Sequence, residues 1–593
     1  MAGLEPLREP NAPQPALDLA DSAATWTRRQ RWLLAALIAF AVALRLPALA
    51  WGFLNDDHGL MLVLEGAVEH PTLRWWSLFD FGDAAQNEYT PWWTPPDWKI
   101  RFFRPLASAS HALDAALFGR NAVAHHAVQL AWLALLLVLL AKLYTVAGLA
   151  PRVALAAVAV FAFDDGSLMP TAWIANRNSL LEAVFLCAAA IGALNYARAP
   201  SVVGIAWTLA CVLLACLCKE SGVSAGAIVA WIWWSAARNS PHAPRLRSAA
   251  TTALVLVASY VAALLAAGFG AHSEFYRTPW GDPLAFSRRV GELAVFGALS
   301  VLGPFKLDLP FAFPALYPGW LAAALVVGAL AWRWLARVAA RSVRPPSFFV
   351  VWIAATLVVQ GGAYPSDRLL FTPLIGAAPW LACGVLELFD GRGWRARTAG
   401  ALLALGALVL SPLALVGGTA QFIELAEKLR AAVSSLEVPR DGRACEAFVL
   451  QSGSGLSMLA PDPVWSFETG LRSVRIHPLQ AGARGLRWTR RGEDEHEFTT
   501  LDEAFLTHPF EVVFNTAPEN GPLRRTRDGF EVEARADGRG ELRTLVLRLN
   551  DREFAARVRW LTWRDGAFRA LTPPAVGESV ELPRAEPLDP LLP

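Results

Sequence analysis

Long apolar runs separated by short charged stretches fill residues 32–418, after which the pattern changes. Eleven runs read as membrane crossings: 32–51, 122–141, 153–165, 179–197, 202–217, 221–236, 249–270, 319–338, 347–363, 369–389 and 398–418. A helical crossing takes about 20 residues, so the third and fifth are short for one. From about residue 420 charge becomes dense and apolar runs shorten. Segments 510–514, 530–533, 542–549 and 554–560 alternate apolar and polar residues, which is strand periodicity, and Asp537-Gly538 and Asp565-Gly566 supply turns between them. The pattern predicts a polytopic α-helical membrane protein of about 11 transmembrane helices with a small β-rich C-terminal domain. The expected division is a disordered N-terminus (1–27), a membrane domain (28–420), a linker helix (421–439) and the β-rich domain with a disordered end (440–593).

Composition agrees. The chain of 593 residues is 55% hydrophobic and 18% charged, with mean hydropathy +0.36, which excludes a water-soluble globular protein. Its 25 Trp suit two long membrane–water interfaces. A net charge of +2 gives no case for nucleic acid. Residues 1–27 are polar and Pro/Ala-rich, and the apolar run after them is too long for a secretory signal and lacks an evident cleavage site, so it is expected to stay as an anchor. Of six Cys, only Cys445 lies beyond the membrane domain, so the C-terminal domain can form no internal disulfide. Cys216-x-Cys218 reads as apolar packing.

Lys and Arg in short loops set orientation. With Arg28, Arg29 and Arg31 inside, the same side collects Lys142, Arg152, Arg198, Arg238, Arg245, Arg247, Arg337, Arg341, Arg344, Arg392, Arg395 and Arg397. An odd number of crossings then places the C-terminus outside: in a bacterium, a multi-pass inner-membrane protein with a cytoplasmic N-terminus and a periplasmic C-terminus. The long outer loops are 52–121 and 271–318, and the second carries a surface-lying amphipathic helix at 284–301.

The outer side also carries the candidate chemistry. Asp56-Asp57 follows the first crossing, and Asp164-Asp165 follows the third. Carboxylates beside a membrane exit are an electrostatic liability and invite a functional reading; an N-cap for a helix at 58–69 is the plainer one. Arg74, Lys99, Arg101, Arg104, Arg177, Lys219, Arg288, Arg289, Lys306 and Arg368 lie on the same side, several at span ends. There they fit either a clamp for a phosphate whose tail lies in lipid, or headgroup contact and local ion pairs. The stretch Tyr89-Thr-Pro-Trp-Trp-Thr-Pro-Pro-Asp-Trp98 is a fixed irregular loop that stacks on sugar rings or, the preferred reading, anchors at the interface.

Four strings carry a resemblance. Phe103-Arg104-Pro105-Leu106 through His111, Asp114 and Gly119 to His125-His126 resembles the first-loop end of GT-C membrane glycosyltransferases, in the protein O-mannosyltransferase-like and TPR-containing mannosyltransferase-like branch. Trp173-Ile174-Ala175-Asn176-Arg177-Asn178-Ser179-Leu180-Leu181 is similar to that branch's Trp-Ile-x-Gly-Arg-x-Asp-Leu-Leu pattern. Cys218-Lys219-Glu220-Ser221-Gly222 is similar to its Ser-Lys-Glu-Thr motif, and Ser366-Asp367-Arg368-Leu369-Leu370-Phe371-Thr372-Pro373 to its Glu-Arg-Tyr-Leu motif. The resemblance covers about residues 30–420. It departs where a His-Pro-x-x-x-Glu element is replaced by Asp164-Asp165-Gly166-Ser167-Leu168-Met169, where Asn176 replaces Gly, and in the absence of TPR repeats.

The resemblance implies transfer of one sugar from a polyprenyl-phosphate-linked donor, at the bilayer's outer face, to a glycan, lipid or protein acceptor. It implies a loop-1 Asp as general base, Asp57 with Asp56 orienting or the reverse, and a donor-phosphate clamp of Arg104, Arg177, Lys219 and Arg368. Glu220 would set Lys219, and His58, His111, Asp367, Asp164 and Asp165 would surround the substrate. No cofactor and no metal are expected; a divalent cation held by Asp164-Asp165 with Asp56 or Asp57 is the alternative. The rival functions are a lipid-linked saccharide transporter, which would place its polar groups near the midplane, and a non-catalytic scaffold.

Overall fold

The computed structural model describes residues 26–68, 70–84, 90–341, 345–455, 461–516 and 523–588. The expected disorder of the N-terminus and of the C-terminal end falls on residues 1–25 and 589–593, outside the described ones.

Each apolar run is helical over most of its length, because a backbone in hydrocarbon must satisfy its own hydrogen bonds. Among the described residues seven helices are long and apolar enough to cross a bilayer: Arg28–Ala50, Ala122–Val146, Ile174–Arg198, Ala243–Ala266, Pro314–Arg341, Asp367–Asp390 and Trp394–Ser434. Pro151–Phe163 and Asp165–Ala172, bent by 60°, make an eighth if they share one span. The chain is therefore a multi-pass membrane protein. The other three expected spans are shorter helices, Val202–Cys218, Ser224–Ala236 and Phe348–Gln360. The latter two, of 13 residues, rise about 20 Å and Val202–Cys218, of 17, about 25 Å, against a hydrocarbon core of about 30 Å, so seven or eight of the eleven expected spans are long enough to cross by length and composition.

The 60° bend has a visible cause. Asp164 is extended at ψ 129, and its side chain accepts from Gly166 N at 3.0 Å. The broken ladder leaves the Ala162 carbonyl without a helical donor. Arg45, fully buried on the first crossing, donates to it at 2.9 Å and also to Ser167 Oγ, Thr171 Oγ1 and the Ala41 carbonyl. One guanidinium thus uses its fork of donors to hold a broken helix.

The segments expected outside gather at one end. Strands Asp80–Asp83, Lys99–Arg101 and Gly270–His272 form an antiparallel sheet that joins the two long loops. The C-terminal domain sits on them: Trp92 Nε1 donates to the Leu479 carbonyl at 2.9 Å, Trp98 Nε1 to that of Val513 at 3.0 Å, and Glu274 N to that of Asn515 at 2.6 Å. The opposite end carries Arg152 paired with Asp390 at 3.0 Å, Arg198 on the Val146 carbonyl, and Trp26 on Thr145. The expected helix at 284–301 is present as Pro283–Ser300, half-buried.

Among its described residues the C-terminal domain has two sheets. The larger is antiparallel, in the order Ser579–Leu582, Leu486–Arg490, Glu495–Thr500, Leu542–Leu549, Phe530–Ala536, Leu523–Arg527. The smaller runs Ala567–Leu571, Val558–Arg564, Cys445–Val449, Val474–Pro478, its last two pairings parallel. Helix Pro461–Thr469 makes the crossover that a parallel pair requires. The linker helix expected at 421–439 is no separate element; the last membrane helix continues to Ser434, and Ala432 and Val433 enter the domain's core. All six Cys are buried, and none is in a disulfide.

Three sequence readings need correction. Residues 510–514 are not a strand: 510–512 lie on helix Pro509–Val512, started by Pro and closed by reciprocal bonds between His508 and Glu511, and 513–514 form a turn. Residues 554–557 belong to helix Arg552–Arg557, capped by Asp551 accepting from Glu553 N and Phe554 N, and the strand begins at Val558. The Trp-rich loop neither faces sugar nor anchors in the interface. Trp92, Trp93 and Trp98 are 1–4% exposed, and the first two belong to the C-terminal core.

Candidate active site

The acidic pair opens helix Asp56–Leu64, reached through a tight turn with Gly52 at φ +69 and Asn55 at φ 43. Asp57 is 1% exposed and both its oxygens are occupied: one accepts from Leu54 N at 2.9 Å, the other from Ala175 N at 2.7 Å. It therefore ties the turn before its own helix to the Trp173–Asn176 turn. Burial pushes its pKa up to about 8, against the two N–H donors that lower it. Asp56 is solvent-accessible although protein surrounds it on most sides. Burial raises its pKa, and the charges of Arg368 and His58 oppose that rise.

Beyond Arg368 a cavity of about 380 Å³ opens. Arg101, Arg104, Lys219, Arg277 and Arg368 line it together with Glu220, beside an apolar wall that includes Val261, Leu264, Leu265, Phe269, Trp280 and Val358. The apolar wall belongs largely to the Ala243–Ala266 helix, which is mostly uncovered by protein. The cavity thus joins a cationic head to a lipid-facing flank.

Three of the four expected phosphate ligands meet here. Arg104 grips Glu220 in bidentate fashion, Nε–Oε1 2.9 Å and Nη2–Oε2 2.7 Å, and lies over the Phe102 and Phe79 rings. Lys219 Nζ donates to Ser179 Oγ at 3.0 Å. Burial lowers its pKa to about 8, as do Arg104 and Arg368, while Glu182 and Glu220 raise it. Lys219 is held by the turn Glu220–Val223, which packs so tightly on the preceding helix that a Cβ at Gly222 would collide with the Ala215 carbonyl. Arg368 sits on the short turn Asp367–Leu370, half-buried and without an ion-pair partner among the described residues.

Arg177 lies elsewhere. It is fully buried, paired with Asp114 at 2.5 Å, with Nε on Gln129 at 2.9 Å and Nη2 on the His125 carbonyl. It fastens the Pro105–Phe118 helix to Ala122–Val146 and does not line the cavity. His111 is buried near the same pair, and burial holds its pKa well below the usual value. His58 Nδ1 meets the Asn55 carbonyl at 3.1 Å and Nε2 approaches Glu468 of the C-terminal domain at 3.6 Å.

The second acidic pair faces a cation of the chain itself. Lys306 Nζ bridges Asp165 at 2.5 Å and Asp367 at 3.0 Å, and Asp367 also accepts from Leu307 N at 2.7 Å. Asp164 turns to Gly166 N. Asp57, Asp164 and Asp165 are thus separately engaged, and no group of three or more such ligands gathers among the described residues.

Sequence reasoning missed Glu182. This fully buried carboxylate on the Ile174–Arg198 helix adds its charge beside Lys219 and Ser221. The signal was available: a lone acid inside an apolar run is costly unless it serves a site.

No protein-family model and no curated protein matches the chain. Solved structures do. The oligosaccharyltransferase of Archaeoglobus fulgidus in its apo form aligns at TM-score 0.44 and 13% identity, over 79% of this chain and 66% of that one. ArnT from Cupriavidus metallidurans bound to undecaprenyl phosphate aligns at 0.38 and 11%, over 75% and 86%. The arabinofuranosyltransferase AftD from mycobacteria aligns at 0.41 and 16%, over 90% and 40%. The chain spans 63–66% of the length of the archaeal chains it matches.

Proposed function

We propose that the protein transfers a sugar from a polyprenyl-phosphate-linked donor to an acceptor on the outer face of a bacterial inner membrane, with its C-terminal domain on that side. One observation carries the reading: Arg368, without an ion-pair partner among the described residues, lines a cavity with a lipid-facing wall and lies close enough to the accessible Asp56 for its charge to act on that carboxylate. A phosphate on an isoprenoid tail needs that combination of cationic head and open apolar flank. The four motifs shared with GT-C glycosyltransferases point the same way.

In this reading Asp56 takes the base role expected of Asp57. Asp57's oxygens are filled by backbone N–H groups and its raised pKa keeps it largely protonated near neutrality. The acceptor hydroxyl oxygen attacks the anomeric carbon, its proton passes to Asp56, and the bond from that carbon to the phosphate oxygen breaks. The negative charge gained by the leaving phosphate is met by Arg368 and Lys219, with Arg104 fixed by Glu220 at the rim. The acceptor would be a glycan, lipid or protein.

The test is release of polyprenyl phosphate from synthetic polyprenyl-phosphate sugars by purified protein. Release that disappears in Asp56→Asn and in Arg368→Ala supports the reading. No release with any donor from folded protein refutes it.

A further inference from the structure

Asp367 and Arg368 are neighbours in the chain, yet among the described residues Arg368 forms no ion pair and Asp367 pairs with Lys306. Both oxygens of Asp367 are turned to the second outer loop, one accepting from Leu307 N at 2.7 Å and the other from Lys306 Nζ at 3.0 Å. Leu307 is fully buried, which anchors the loop beside Lys306. The turn at Asp367 is also enclosed from the opposite side, where a Cβ at Gly166 would lie 3.2 Å from the Asp367 carbonyl. Gly166 follows Asp165, the other carboxylate on Lys306, in the broken helix that Arg45 holds through Ala162 and Ser167.

A carboxylate one residue away is an immediate competitor for a guanidinium. An ion pair between them would fill the same fork of donors that a phosphate needs. Lys306 takes that competitor out of reach. Burial opposes the charge of Lys306, but Asp367 and Asp165 outweigh burial and raise its pKa, so the ammonium stays charged. Its three donors suffice for both carboxylates, which would repel each other without it. Lys306 itself lies outside the lining of the cavity that Arg368 faces.

We propose that Lys306 is a positioning residue: by holding Asp367 away from Arg368 it keeps that guanidinium free for the donor phosphate. The phosphate clause rests on the transfer reading; the freedom of Arg368 does not. The second outer loop thus governs the phosphate site without lining it at Lys306, and it does so from a segment fastened to both the broken helix and the Asp367–Leu370 turn.

Two readouts on the full-length protein in nanodiscs separate these steps. Phenylglyoxal adduct formation at Arg368, followed by peptide mass spectrometry, reports whether the guanidinium is free. Binding of undecaprenyl phosphate reports whether a phosphate uses it. Lys306→Met should slow labelling and weaken binding, each about tenfold, the scale of one hydrogen bond to a charged group. Lys306→Arg, which keeps a cation there, should preserve most of both. The double variant Lys306→Met/Asp367→Asn tells positioning from mere support. It removes the competing carboxylate, and the new amide can donate to Asp165, so most of the labelling and binding should return. A double variant as impaired as Lys306→Met, or unchanged labelling in Lys306→Met, overturns the inference. Should Lys306→Met fail to fold, Lys306→Gln, which drops the charge and keeps a donor, carries the same comparison. Wild-type binding that is absent, or indifferent to Arg368→Ala, refutes the phosphate reading and leaves labelling to decide whether Lys306 keeps Arg368 free.

Discussion

Neighbouring residues Asp56 and Asp57 show how far identity alone carries. The sequence places two carboxylates beside a membrane exit and cannot say which is free, because the difference lies in contacts from Leu54 and from Ala175, which is 118 positions away. Their variants should separate. Asp56→Asn should lower transfer by roughly 10²–10⁴-fold, the usual worth of a general base, with an unchanged melting temperature. Asp57→Asn must turn an amide N–H toward one of two backbone N–H groups, costing about 1–3 kcal/mol, so its melting temperature should fall. The pH dependence has a definite sign. A carboxyl whose folded pKa is raised to about 8 binds its proton more tightly folded than unfolded, so its stability contribution is fully present below about pH 4 and is lost as pH rises through about 8. Thermal melts from pH 5 to 9 should show that loss, and Asp57→Asn should flatten it. Lys219 titrates the other way for function. With its pKa lowered to about 8, it loses its charge above that pH. Donor affinity should fall up to tenfold per unit above pH 8, and Lys219→Arg, which stays charged, should remove the fall in a binding assay across that range.

Elements were legible where one physical demand dominates. Every apolar run became a helix because hydrocarbon allows little else, and the gathering of loops 52–121 and 271–318 at one end followed from charge alternation. The failures are short pieces. At 509–512 and 552–557 an alternating pattern competed with cap chemistry at His508 and Asp551, and the cap won, since a local hydrogen bond forms whatever the longer pattern prefers. The Trp-rich loop failed differently, because its partners are carbonyls of Leu479 and Val513, nearly 400 residues later or more. Arg177 matched a motif, yet its role came from Asp114 and Gln129 on two other helices. The Lys-Glu-Ser-Gly turn belongs to this scale as well. Gly222→Ala has no space against the Ala215 carbonyl, so the turn must shift at a cost of about 1–3 kcal/mol. Its donor affinity should drop through displacement of Lys219, and a lowered melting temperature together with weaker donor binding checks it.

At the scale of the whole molecule, the C-terminal domain completes the acidic-pair site instead of hanging from it. Phe467 at the end of helix Pro461–Thr469 meets Phe53 at 5.4 Å and His58 at 5.0 Å between ring centroids, and Arg120 lies 4.1 Å from its ring. Glu468 reaches His58, and Arg120 ties the Phe467 carbonyl to Glu65 at the far end of the Asp56–Leu64 helix. A nine-residue helix, too short to be stable alone, is thus held at its start by Glu468, 410 positions later, and at its far end by Arg120, which also carries the Phe467 carbonyl. Phe467→Ala should cost about 3 kcal/mol, spent locally at this interface, because the membrane core and the sheets do not depend on the ring. Amide exchange across 54–64 should quicken while exchange in Ala243–Ala266 stays the same. Transfer should fall with donor affinity intact, since Arg104, Lys219 and Arg368 are held by other elements. Uniform acceleration of exchange, or loss of donor binding in step with transfer, would show that the domain supports the fold at large and not the placement of Asp56.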